Sequence, residues 1–154
     1  MQPLWMCARC GRGFANRNQS HFCSDVRLDE HFAGRDPEVI ATFERLLAVD
    51  RRSGPVKVLP EKTRIALQVR MSFAAFTLRR HWLDGHVVLA RRRQSPRFRR
   101  IDSISPQNQV HVFRLTSPAE VDTEVESWLA EAYDVGAQRH LTGSSRTAGR
   151  RRES

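Results

Sequence analysis

Apolar residues recur along the chain with two different periods, and the change of period marks its elements. Ile65, Leu67, Val69 and Met71 alternate with Arg64, Ala66, Gln68 and Arg70, the two-residue period of a half-buried strand. On either side the period lengthens. Val39, Ile40, Phe43, Leu46 and Leu47 form one helical stripe, and Val121, Val125, Trp128, Leu129, Ala132 and Tyr133 form another, each with the 3.6-residue period of a helix that buries one side.

Boundary residues sharpen both helices. Asp36-Pro37 offers an N-cap and then a proline where its missing N–H costs nothing, and Gly54-Pro55 stops the chain, so the first helix is expected over about 36–52. Ser117-Pro118-Ala119-Glu120 has the spacing of a capping box and Gly136 can end the turn, so the second is expected over about 118–135. Further strands are expected at about 56–59, 73–80, 86–91 and 109–115, with Asp84-Gly85 as a hairpin turn between two of them. Helix, consecutive strands, helix is the order of an α+β fold: an antiparallel sheet of about five strands flanked by two main helices.

The first 25 residues read differently. All three cysteines lie within residues 7–23, an odd number that cannot pair completely and a spacing suited to metal. Cys7-Ala-Arg-Cys10-Gly11 is the kind of turn in which two thiolates converge on one ion, and His21-Phe-Cys23 supplies two more ligands if the chain bends at Phe22. Three thiolates and an imidazole close a tetrahedral shell, which predicts one structural zinc in a small zinc knuckle, with Trp5 and Phe14 to cover it. The expected organisation is a knuckle over 1–25, an α+β domain over 26–138 and a disordered basic tail over 139–154, where TGSSRTAGRRRES lacks large apolar groups.

Length and composition allow one main domain: 154 residues, 40% of them hydrophobic, with eight Phe and three Trp. No apolar run reaches the roughly 18 residues of a membrane span, and MQPLWMCARC has no continuous signal-peptide core, so no membrane association and a cytoplasmic location are expected. The net charge of +9 is unevenly spread. Residues 79–100 hold eight Arg against one Asp, whereas 101–138 hold one Arg against seven acids, a bipolar chain. Of the 26 basic residues 24 are Arg, a skew that genome composition produces as readily as phosphate binding does.

KTRIALQVRMSFAAF (62–76), LDGHVVLARR (83–92) and FRLTSPAEVDTEVESWLAEAY (113–133) resemble the bacterial domain-of-unknown-function family numbered 5655. The resemblance runs from about Asp36 to Tyr133, and CARCGRGFANRNQSHFC (7–23) is similar to the zinc knuckle that precedes the domain in some relatives. It implies a small α+β domain, sometimes joined to nuclease-like or uncharacterised domains. It transfers no catalytic residue. The transport label that some relatives carry fits poorly with a chain lacking a membrane span.

Three classes of function follow. The leading expectation is a zinc-containing accessory protein that binds DNA or RNA, with Arg91, Arg92, Arg93, Arg97, Arg99 and Arg100 tracking the phosphate backbone around a turn at Gln94-Ser95-Pro96. The competing account of those arginines is a basic loop that balances the acidic second helix, within one chain or across a homodimer or protein partner. The second class is a small-molecule or peptide recognition domain without catalytic activity, with Lys62, Arg64, Arg70 and His111 converging on a concave sheet face. The third is an enzyme using His81, Asp84 and His86, which bracket the expected hairpin. No glycine-rich phosphate loop, nucleophile elbow or paired carboxylates accompany them, so the motif set weighs against catalysis. His31 and His140 belong to no pattern and read as surface residues, and most of Phe73, Phe76, Phe98 and Phe113 read as core.

Overall fold

The computed structural model describes residues 5–6, 13–14 and 27–139. Its elements in chain order are β1 (Trp5–Met6), β2 (Gly13–Phe14), α1 (Leu28–Phe32), α2 (Pro37–Arg51), β3 (Lys57–Pro60), β4 (Ile65–Gln68), β5 (Ser72–Leu78), β6 (Leu83–Leu89), β7 (Arg100–Ser105), β8 (Asn108–Leu115) and α3 (Thr123–Gly136). β1 pairs antiparallel with β2, and the other six strands form one antiparallel sheet in the order β3-β4-β5-β6-β8-β7. The domain is therefore α+β with two main helices, and its sheet has six strands rather than about five. β7 escaped the periodicity because Arg100, Asp102 and Ser103 give it little apolar character, and as an edge strand it has few core positions to fill.

The register puts alternate residues on opposite faces. Ile65, Phe76, Gly85 and Phe113 stand side by side on the face beneath α2 and α3, as do Leu78, Leu83 and Leu115. These residues pack with the stripes read from the sequence: Val39, Phe43, Leu46, Val125, Trp128, Leu129, Ala132 and Tyr133 are all buried in the same core. The opposite face carries the row Leu59, Ala66, Ala75, His86, Val112 and Arg100, and above it Thr77, Asp84 and Arg114. Leu59, Ala66 and Ala75 form a second small buried cluster there.

Two expectations are corrected locally. Asp84-Gly85 is not a turn; both lie inside β6, and the hairpin closes at Arg79–Trp82, where the Arg79 N–H donates to the Trp82 carbonyl at 2.8 Å. Glycine stands at 85 because the rings of Phe76 and Phe113 close over it from both neighbouring strands. A Cβ there would sit 2.8 Å from Phe76 and 3.0 Å from Phe113. The capping box at Ser117–Glu120 does form, but it caps a single 3-10 turn at Pro118–Glu120. The helix proper starts one step later, where the Asp122 carboxylate accepts from the Val125 N–H at 3.2 Å. Gly54 ends the first helix region with φ +147°, and Tyr133 lies against it, donating its hydroxyl to the Pro55 carbonyl at 2.8 Å. The short helix α1 was not anticipated. Its five residues are too few for periodicity to register.

Candidate functional site

The arginines of 91–100 divide by which nitrogens they use. Arg91 grips Glu131 through Nε and Nη2 at 2.9 and 3.0 Å. Arg93 reaches Glu131 through Nη1 and the Ser127 hydroxyl through Nη2. Arg97 spends Nη1 on Asp122 and Glu124 and Nη2 on the Glu120 carbonyl, and its guanidinium lies 5.4 Å from the Trp128 ring centre. These three are therefore a clasp on the acidic side of α3. The carboxylates favour the charged guanidiniums: the hydrogen bond to Glu131 raises the Arg91 pKa, and for Arg97 burial opposes the charge while Asp122 and Glu124 outweigh it. Asp122 and Glu120 are held below the ordinary carboxylate range, burial notwithstanding, by backbone N–H donors and by Arg97. Of the remaining three, the side chains of Arg92 and Arg99 are exposed without a partner among the described residues. Arg100 belongs to β7.

His111 anchors the same clasp from inside. It is fully buried on the helix side of the sheet, bonds the Gln109 carbonyl through Nδ1 at 2.9 Å and accepts from the Arg93 N–H at Nε2, also at 2.9 Å. That pattern requires the neutral ring, and burial lowers its pKa accordingly. Phe98 packs on both His111 and Trp128. His111 is thus a structural histidine and does not converge with Lys62, Arg64 or Arg70, and Arg70 instead donates to Gln138 at 2.9 Å.

The other sheet face assembles a different group. Asp84 accepts from Arg114 Nε at 2.8 Å, Arg79 Nε at 3.1 Å and Trp82 Nε1 at 3.2 Å. Burial works against its charge, but these donors hold it below the usual carboxylate range. The Arg114 guanidinium stacks 4.6 Å from the Trp82 ring centre. Arg64 donates from Nε to Glu61 at 3.0 Å, and Arg100 from Nε to Asp102 at 2.8 Å. Arg64, Arg79, Arg100 and Arg114 thus share one arrangement: a carboxylate fixes Nε, and the two terminal nitrogens have no hydrogen-bond partner among the described residues. Their side chains are 52%, 56%, 68% and 36% exposed. His86 sits in the row between Ala75 and Val112, and burial, with Arg64 and Arg100 adding repulsion, drives its pKa down to about 4. It is a neutral floor beneath the cations.

His81, Asp84 and His86 are not gathered into one site. His81 turns away to bond Asp36 at 2.7 Å through Nδ1, and among the described residues no group of three His, Cys, Asp or Glu is placed to hold a metal ion. His31, expected at the surface, is buried and bonds the Glu61 carbonyl through Nε2 at 2.6 Å. Cys7, Cys10, His21 and Cys23 lie outside the described residues, as do His140 and the rest of the basic tail. The described ladder beside them pairs Trp5 with Phe14 and Met6 with Gly13. Sequence reasoning missed Arg79, Trp82 and Arg114 as partners of Asp84. Their common face depends on which residue of β6 faces which residue of β8, and no spacing within one strand reveals that register.

Among the described residues no helix is long and apolar enough to cross a membrane. No curated protein and no solved structure matches the chain. A family model does match it, across residues 28–136, which span α1 through the last residue of α3. By that match over most of its length, the chain belongs to the family described as domain of unknown function DUF5655.

Proposed function

We propose that this protein is a nucleic-acid-binding accessory protein whose contact surface is the sheet face bearing Arg64, Arg79, Arg100 and Arg114. One observation carries the reading: each of these guanidiniums is held through Nε, and its terminal fork has no hydrogen-bond partner among the described residues on a side chain at least a third exposed. A fork held in place loses little freedom when it takes up a phosphate, which is the geometry in which arginine recognises that group bidentately. From Arg64, beside β4, to Arg100, on β7, the sheet crosses four strand gaps, roughly 19 Å, room for successive phosphates of one strand. Arg91, Arg93 and Arg97 are assigned to holding α3, and Arg92 and Arg99 to the margin.

The proposed role for Cys7, Cys10, His21 and Cys23 is a single structural zinc. The S₃N donor set suits the ion, and the spacing Cys7-Ala-Arg-Cys10 lets two thiolates reach it. When bound, the metal supplies folding free energy to a segment with little apolar content of its own.

The test is a salt-dependent titration against single- and double-stranded DNA and RNA. Affinity is expected to fall steeply with salt, and Arg64→Gln/Arg100→Gln/Arg114→Gln is expected to reduce the log–log slope by about 2 on a single strand. Arg91→Gln/Arg93→Gln is expected to lower the melting temperature and leave the slope unchanged. No binding of wild type at low salt, or the reverse assignment of the two variants, refutes the proposal.

A further inference from the structure

At the α1 end of the cationic face lies a cavity of about 380 Å³, within the size range of small-ligand sites, ~300–1,000 Å³. Arg35, Lys62, Thr63, Thr77 and Arg79 line it, together with His31 and Glu30. Two of its guanidiniums are fixed. Arg35 donates from Nε to the Leu78 carbonyl at 2.7 Å and from Nη1 to the Ala33 carbonyl at 2.8 Å, leaving Nη2. Arg79 is held through Nε by Asp84, leaving both terminal nitrogens. The Lys62 ammonium and the hydroxyls of Thr63 and Thr77 have no partner among the described residues. His31 is committed through Nε2 to the Glu61 carbonyl, and Glu30 accepts from the Arg27 N–H at 3.4 Å.

We propose that this cavity binds a phosphate monoester, which on the reading above is the phosphorylated end of a strand lying on the sheet face. Three cations against the one carboxylate of Glu30 leave the lining with two positive charges. A phosphate monoester carries about −1.5 to −2 at neutral pH, whereas an internal phosphodiester carries one charge. The donors also suit three peripheral oxygens: two oriented guanidiniums, an ammonium and two hydroxyls that have no partner among the described residues. Arg79 belongs to both the cavity and the face, so a strand end seated here leads its next phosphates toward Arg114.

The experiment compares one short single-stranded oligonucleotide with a terminal phosphate and with a terminal hydroxyl, and adds a nucleoside monophosphate as a separate arm. Wild type is expected to bind the phosphorylated strand about tenfold more tightly than the hydroxyl-ended one. Lys62→Ala is expected to abolish that preference while leaving the hydroxyl-ended affinity unchanged. Thr77→Val, which alters no charge, is expected to reduce the preference as well. Equal affinity of wild type for both strands overturns the inference, and so does a Lys62→Ala loss that is the same for both. If neither strand binds but the nucleoside monophosphate raises the melting temperature of wild type and not of Lys62→Ala, the cavity's ligand is a free nucleotide. In that case the cavity assignment stands and the sheet-face reading fails.

Discussion

Asp50 is 1% exposed in the last turn of α2, and neither carboxylate oxygen has a hydrogen-bond partner among the described residues. Burial pushes its pKa from 3.8 up to about 8, so the native protein holds a proton that the unfolded chain releases. A raised carboxyl pKa means stability that is full below pH 3.8 and is lost as pH rises toward 8. Each pH unit in that window costs about 1.4 kcal/mol. His86 acts in the opposite sense: its pKa falls from 6.5 to about 4, so its contribution is complete above pH 6.5 and lost on acidification. Between pH 6.5 and 8 Asp50 therefore acts without opposition from His86. Wild type is expected to lose about 2 kcal/mol across that interval, roughly 8 °C in melting temperature. Asp50→Asn keeps the shape and cannot ionise, so its melting temperature should not share that decline. Thermal melts of both proteins at pH 6.5, 7.2 and 8 isolate the group, because every other titrating residue is common to the pair. Parallel curves would mean that Asp50 is already charged in the native state at pH 6.5, and would refute the reasoning.

Gly85→Ala should cost about 1–3 kcal/mol, since its methyl meets the Phe76 and Phe113 rings inside contact distance; an unchanged denaturation midpoint would show that the rings can part. Trp128→Ala empties the space between Phe98, Phe113 and the Arg97 guanidinium, and a loss of about 3–5 kcal/mol is expected by urea titration. Purified protein should contain about one zinc per chain, with Cys10→Ser lowering that content and leaving the melt of the main domain in place; elemental analysis finding no zinc would remove the knuckle.

The two main helices were legible because each buries one apolar stripe against the sheet. Val125, Trp128, Leu129, Ala132 and Tyr133 repeat with the helical period whatever lies beneath them, and all five are buried. β4 was legible by alternation. β7 was not, because an edge strand is held by backbone bonds to β8 and needs few apolar side chains. Asp84-Gly85 misled for a related reason. The dipeptide favours a turn locally, but here the glycine answers to two aromatic rings on neighbouring strands, and that demand lies in the sheet rather than in the dipeptide.

Charge was legible in amount and not in use. The densest run of arginine, residues 91–100, faces the densest run of acid, residues 120–134, and the fold brings the two together. Helix α3 carries acids at 124, 126, 131 and 134; Arg45 and Arg52 meet Glu126 and Arg139 meets Asp134, and the clasp meets Glu124 and Glu131. The run is therefore best explained by an internal need, which lowers its value as a sign of a ligand. The arginines on the sheet face are scattered at 64, 79, 100 and 114; Arg100 closes the dense run, and the other three stand outside it. Their acidic partners do not neutralise them in the same way. A carboxylate at Nε sets the plane of the guanidinium and leaves both terminal nitrogens to donate, whereas a carboxylate across the fork uses the group up. The distinction rests on single atoms, Nε for Arg64, Arg79, Arg100 and Arg114 against Nη for Arg93 and Arg97. On that ground the sheet face offers an external phosphate four whole forks, whereas the clasp has one terminal nitrogen of Arg91 left over, with its other terminal nitrogens committed to α3.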